Sequence, residues 1–183
     1  ARAHAPLVAR ELDRQPGLSC LLAEGRGEDA LAHARTLAEE PDLGRALRRE
    51  RWALAVALAI GDLAGGFDLR RVMGELSDFA DRALEAAIAK AIRRRVPDAE
   101  PAGLTALALG KHGARELNYS SDIDPILLYD PARLPRRERD EPGEAAQRYA
   151  RAILALLSEQ TADGYVFRVD LRLRPASEVS PLA

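Results

Sequence analysis

The sequence has one cysteine, no surplus of either charge, and no apolar run long enough to cross a bilayer. A single cysteine excludes a disulfide within the chain and fits a reducing compartment, so a cytoplasmic protein is expected. Cys20 sits in GLSCLLAEG with no histidine spaced to activate it, and a buried or inert thiol is expected there. With 27 basic residues against 29 acidic ones, nothing favours nucleic acid as a partner. Arginines cluster at Arg48, Arg49 and Arg51, at 93–95, and within 136–139. Acidic residues lie among or near most of them, and they read as solvated helix ends and a solvated loop. The longest apolar stretch, WALAVALAIGDLAGGF, is broken by Asp62, Gly65 and Gly66. It reads as a buried helix, and no membrane association is expected.

The chain has 183 residues, enough for a real core. It starts at Ala1 without methionine and stops at PLA, so a piece of a longer protein is expected. The first hundred residues carry a helical pattern. A short helix is expected over 3–12, ended by the Gln15-Pro16-Gly17 turn, and a second over 28–39. Pro41 opens a third, to about Leu63, which Gly65 and Gly66 end. Asp68 caps a fourth over 69–95, whose apolar residues recur at three- and four-residue steps. Beyond Pro97 and Pro101 the period changes. LTALALG (104–110) reads as a buried strand, KHGARELNYSS as a short helix or turn, and DIDPILLYD as a second strand. A polar loop follows, then a helix over 144–162 with Ala145, Tyr149, Ile153, Leu156 and Leu157 on one face. TADGYVFRVDLRLRP reads as a turn and a third strand. The expected fold is α+β: a helical lead-in over 1–102, then a core with a small mixed sheet over 103–183.

Alternation in a strand puts residues i and i+2 on one face. Asp122 and Asp124 therefore point to the same side, where their charges repel unless a cation lies between them. A hard divalent cation such as Mg²⁺ or Mn²⁺ suits such oxygens. Asp170, Arg172 and Arg174 alternate in the same way, and arginine forks match phosphate oxygens. Gly110 ends one strand where a helix begins, a place where backbone N–H groups can face an anion. Lys111, Ser120 and Ser121 stand beside it as binding candidates. The order is strand, glycine turn, Ser-Asp-x-Asp strand, helix, and a strand with a third aspartate. This is the layout of the polymerase-β-like nucleotidyltransferase fold. There, three carboxylates hold two metal ions that grip a nucleotide's phosphates.

GKHGARELNYSSDIDPILLYD (110–130) and GYVFRVDLRLRP (164–175) closely resemble the bifunctional glutamine synthetase adenylyltransferase/adenylyl-removing enzymes. The helices of 47–88 also resemble those that precede each catalytic core in that family. The wording is nearer the N-terminal, AMP-removing half. The resemblance implies phosphorolysis of the adenylyl-tyrosine of glutamine synthetase to ADP, with regulation by a PII-type signal protein. It implies that Asp122 and Asp124 bridge two metals and that Asp170 completes one metal site. Gly110 and Ser121 would then hold phosphate oxygens, and Arg172 and Arg174 would carry anionic charge. Two other readings stay open. One is the half that adds AMP from ATP, where Asp170 could take the tyrosine proton. The other is a silent nucleotide-binding domain. Three positions depart from the family pattern. His112 stands where an apolar residue is more common and is expected at a helix end or on the surface. Ala114 replaces a common glycine. Pro125 removes a ladder N–H just after Asp124.

Overall fold

A computed structural model describes residues 5–171. The fold is α+β, helix-rich with a small sheet. The chain packs as two compact units. Among the described residues, one unit runs to Phe79 and takes back Leu117–Tyr119; the other holds Ala80–Glu116 and the residues from Ser120 to 171.

The first unit is helical. α1 (Pro6–Arg14) and α2 (Pro16–Ala23) meet at Gln15, so the expected break is present. Pro16 does more than end α1, however. It occupies the first turn of α2, where its fixed φ suits a helix and its missing N–H is not needed. α3 (Gly27–Thr36) continues into a 3₁₀ turn at Leu37–Glu39. α4 (Leu43–Leu63) is capped by Asp42, whose Oδ1 accepts from the N–H groups of Gly44 and Arg45 at 3.0 and 3.3 Å. α5 (Leu69–Arg95) begins in this unit, capped by Asp68, which accepts from Arg71 N–H at 2.7 Å. Leu18, Leu31, Leu54, Leu58 and Phe79 are fully buried here.

The arginine cluster of α4 is not solvated as expected. Arg48 and Arg51 are buried. Arg51 donates from Nη2 to the Tyr119 carbonyl at 3.3 Å, and its guanidinium lies 5.3 Å from the Trp52 ring centroid. Cys20 departs too: it is exposed, with Sγ 3.3 Å from Glu24 Oε1. That carboxylate pushes the thiol above its ordinary value, mainly by hydrogen bonding, so the inert reading has a basis other than burial.

The second unit takes α5 from Ala80 to Arg95, then β1 (Leu104–Leu109), α6 (Gly110–Gly113), β2 (Asp124–Tyr129) and α7 (Pro142–Ser158). β1 and β2 pair antiparallel, with Leu109 opposite Asp124. Asp130 N–H donates to the Gly103 carbonyl at 2.9 Å, which fixes the parity of the ladder. Thr105, Leu107 and Leu109 exchange bonds with β2, while Leu104, Ala106 and Ala108 aim their peptide groups at the other edge. β1 is therefore not the fully buried strand its composition suggested: Leu107 is 51% exposed, because one sheet face is open. Up to residue 171 the final segment makes a single parallel bridge, Val169 to Ile123 just before β2, and the rest of the expected strand, 172–175, lies outside the described residues. Pro125 lies just beyond this bridge, in β2. It faces Ala108 at a position with no bond to β1, and on its other side it lacks the N–H that the next parallel rung needs.

α7 stops at Ser158, earlier than its apolar pattern suggested. Its buried face carries Ala145, Tyr149, Ile153 and Leu157, and the Tyr149 hydroxyl donates to the Pro135 carbonyl at 2.6 Å. After the helix, the N–H groups of Val166 and Phe167 return to the Leu157 carbonyl, at 3.0 and 2.9 Å. That return brings residues 168–170 alongside Ile123.

Candidate functional site

The bridge between Ile123 and Val169 organises the site. Ile123 N–H donates to the Arg168 carbonyl and Asp170 N–H to the Ile123 carbonyl, both at 3.0 Å. Ile123 is fully buried, worth roughly 1.5–3 kcal/mol of transfer free energy. Its neighbours Asp122 and Asp124 must then face away from the core. In a parallel pair the same rule puts Arg168 and Asp170 on that outward face. Asp122, Asp124 and Asp170 therefore share one side; alternation alone had grouped only the first two.

Sharing a side does not bring them to one point. Among the described residues, no three His, Cys, Asp or Glu side chains come close enough to hold a metal ion. Asp122 is already engaged: Arg168 Nε donates to its Oδ1, and Arg168 Nη2 donates to the Ser120 carbonyl at 2.8 Å. The Asp122 carboxylate pushes the Arg168 guanidinium above its ordinary value, mainly through that hydrogen bond. The donor chemistry fits a hard divalent cation, since three carboxylates face one side, but a cation at Asp122 has to compete with Arg168.

Gly110 lies at the foot of this face. Its φ is +57, a region that favours glycine, and a Cβ there would lie 3.0 Å from Asp124 Oδ2. The bare backbone thus leaves one oxygen of Asp124 open. Lys111 is exposed at the start of α6, and Ser120 and Ser121 lead from the surface into Asp122. Arg172 and Arg174 lie outside the described residues.

Two further groups were not singled out from the sequence. Arg168 belongs to the same alternation as Asp170, Arg172 and Arg174, so the signal was present in FRVDLRLRP. The other is Asp81 on α5, which meets His112. His112 was expected at a helix end or on the surface. It does sit in the last turn of α6, but it is only 3% exposed, with Nε2 2.8 Å from Asp81 Oδ1. Nothing in the local sequence links positions so far apart.

Sequence comparison adds a second line of observation. A family profile described as glutamate-ammonia ligase adenylyltransferase matches residues 3–183. Among similar curated proteins, one from Caulobacter vibrioides is 47% identical over 167 residues, covering 84% of this chain and 17% of that protein. One from Xanthobacter autotrophicus is 46% identical over 147 residues, covering 74% of this chain and 15% of that protein. One from Bradyrhizobium diazoefficiens is 38% identical over 176 residues, covering 90% and 17%. All three are named bifunctional glutamine synthetase adenylyltransferase/adenylyl-removing enzyme. The chain thus spans about a sixth of the length of these relatives.

Proposed function

The chain belongs to the glutamate-ammonia ligase adenylyltransferase family, and on that premise we propose that it carries a metal-dependent nucleotidyl-transfer centre acting on glutamine synthetase. The observation that carries this reading is the shared outward face of Asp122, Asp124 and Asp170 beside the Gly110 turn. The proposed reaction is removal of AMP from an adenylyl-tyrosine of glutamine synthetase. An oxygen of inorganic phosphate bonds to the adenylyl phosphorus, the bond from phosphorus to the tyrosine oxygen breaks, and the phenolate takes a proton. ADP and free tyrosine result.

Phosphate is already anionic, so little general-base help is needed, and the work is mainly to offset negative charge at the transferred group. Asp122, Asp124 and Asp170 would hold Mg²⁺ or Mn²⁺, in a two-metal site, and the metal would neutralise that charge. Gly110 and Ser121 hold phosphate oxygens, with Lys111 and Ser120 beside them. Arg172 and Arg174 supply further positive charge. The core over 103–183 does this chemistry, on a polymerase-β-like nucleotidyltransferase plan, and the helical lead-in over 1–102 supports it. A PII-type signal protein regulates the reaction, in the cytoplasm. Among the described residues no helix is long and apolar enough to cross a membrane.

The test uses AMP-modified glutamine synthetase, phosphate and Mg²⁺, with ADP as the readout. ADP that appears with this chain and vanishes in Asp122→Asn/Asp124→Asn supports the removing reaction. Incorporation of AMP from ATP into unmodified glutamine synthetase, without ADP release in the first assay, overturns it in favour of the adding half. Asp170 would then be the group placed to accept the tyrosine proton.

A further inference from the structure

We propose that His112 and Asp81 are positioning residues that hold the Gly110 turn against Asp124, an inference that rests on reading this turn as a phosphate-facing element. α6 is four residues long, too short for its own hydrogen bonds to fix its place. Between positions 110 and 116, all of them described, His112 alone is buried. The buried side-chain tie between the turn and the body of the unit is therefore this imidazole. Its Nε2 donates to Asp81 Oδ1 at 2.8 Å, since a carboxylate can only accept. Nδ1 is buried and meets no partner among the described residues, so the hydrogen bond that orients the ring is the one to Asp81.

Asp81 also receives the far end of the turn. Arg115 Nη1 lies 3.4 Å from its Oδ2, and Arg115 has a φ of +59, a conformation a side chain rarely adopts without being held. Backbone bonds close the segment between these two anchors: Ala114 N–H to the Gly110 carbonyl at 3.0 Å, and Glu116 N–H to the Lys111 carbonyl at 2.7 Å. The turn is pressed on the end of β1 as well, where a Cβ on Gly113 would come 2.5 Å from the Ala108 carbonyl oxygen. One carboxylate on α5 thus meets two side chains of the loop whose first residue, Gly110, has little room for a Cβ beside Asp124.

The experiment titrates this chain with Mn²⁺ alone and with inorganic phosphate in the presence of Mn²⁺. His112→Leu keeps the volume and loses the bond, Asp81→Asn removes the charged acceptor, and His112→Gln keeps a donor at similar reach. Expected is a loss of about tenfold in phosphate affinity for His112→Leu and for Asp81→Asn, the scale of one hydrogen bond to a charged group. Mn²⁺ affinity stays within about twofold, His112→Gln restores phosphate binding, and the Leu/Asn double variant is no worse than either single one. If His112→Leu does not fold, Asp81→Asn carries the same comparison, because that carboxylate is half exposed. Unchanged phosphate affinity in both single variants overturns the inference alone. So does a parallel loss of phosphate, Mn²⁺ and thermal midpoint, which marks a purely structural role. A wild-type chain that binds neither probe overturns the nucleotidyl-transfer reading, and the inference with it.

Discussion

Gly110 and Asp124 stand so close that a single methyl group between them would lie 3.0 Å from the carboxylate oxygen Oδ2. The contact follows from register. Leu109 pairs with Asp124 on the last rung of the ladder, so the next residue must turn away beside that carboxylate. Gly110→Ala adds the methyl group and also forces a side chain into positive φ. The expected cost is about 1–2 kcal/mol in urea unfolding, with weaker phosphate binding. Unchanged stability would show that the turn relaxes freely and that its geometry is not set by the glycine.

The ion pair between Arg168 and Asp122 is solvent-exposed, with both side chains more than half accessible. Such pairs contribute about 0.2–1 kcal/mol. Arg168→Ala is therefore expected to cost less than about 1 kcal/mol of stability. It should also tighten Mn²⁺ binding several-fold, because Asp122 loses its internal competitor. Calorimetric titration decides this. Weaker Mn²⁺ binding in the variant would mean that Arg168 helps to arrange the carboxylates rather than competing for one of them.

Asp140 shows how pH should act on the fold. Arg95 donates to it from Nε and Nη2, both at 2.7 Å, and Arg148 Nη2 adds a third bond at 2.9 Å. Hydrogen bonding from Arg95, first, holds the carboxyl below its ordinary value. The folded state therefore binds this proton less readily than the unfolded chain. The stabilisation is fully present above the ordinary carboxyl value and is lost as the pH falls through the lowered one. Asp140→Asn should be less stable than the parent at pH 7, and the gap should close as the solution is acidified. Urea midpoints across that range check it; a gap that stays constant would sink the assignment.

Cys20 is exposed, yet Glu24 keeps it protonated above the ordinary thiol value. Alkylation by iodoacetamide near neutral pH should be slower than for a free thiol, and Glu24→Gln should speed it. A rate that ignores the substitution would show that the carboxylate does not control this thiol.

Local signals carried much of the fold. Asp42 and Asp68 cap helices because their side chains bond N–H groups two or three residues on, and that information is contained in a short window. The apolar stripe of α5 set its length, and alternation placed Asp122 and Asp124 on one side of Ile123. What stayed hidden depended on distant pairing. Leu107 looked like core because composition cannot say whether a sheet face is covered. Among the described residues, the single bridge of the final segment sits beside a proline whose missing N–H matters only on one side of β2. Arg48, Arg51 and His112 are polar residues that burial reaches through tertiary contacts, and no local pattern announces them.

The edge of β1 that no strand covers among the described residues has a bearing on solubility. Leu104, Ala106 and Ala108 direct their peptide groups toward a hollow of about 380 Å³, which Leu84, Ile88, Asp81 and Glu85 of α5 also line. A strand from another molecule seeking that edge would have to enter beneath the helix and bury two carboxylates on the way. Stripping water from those carboxylates is costly enough to deter it. The same helix that meets His112 through Asp81 should therefore guard the sheet against growing, molecule by molecule, into an aggregate.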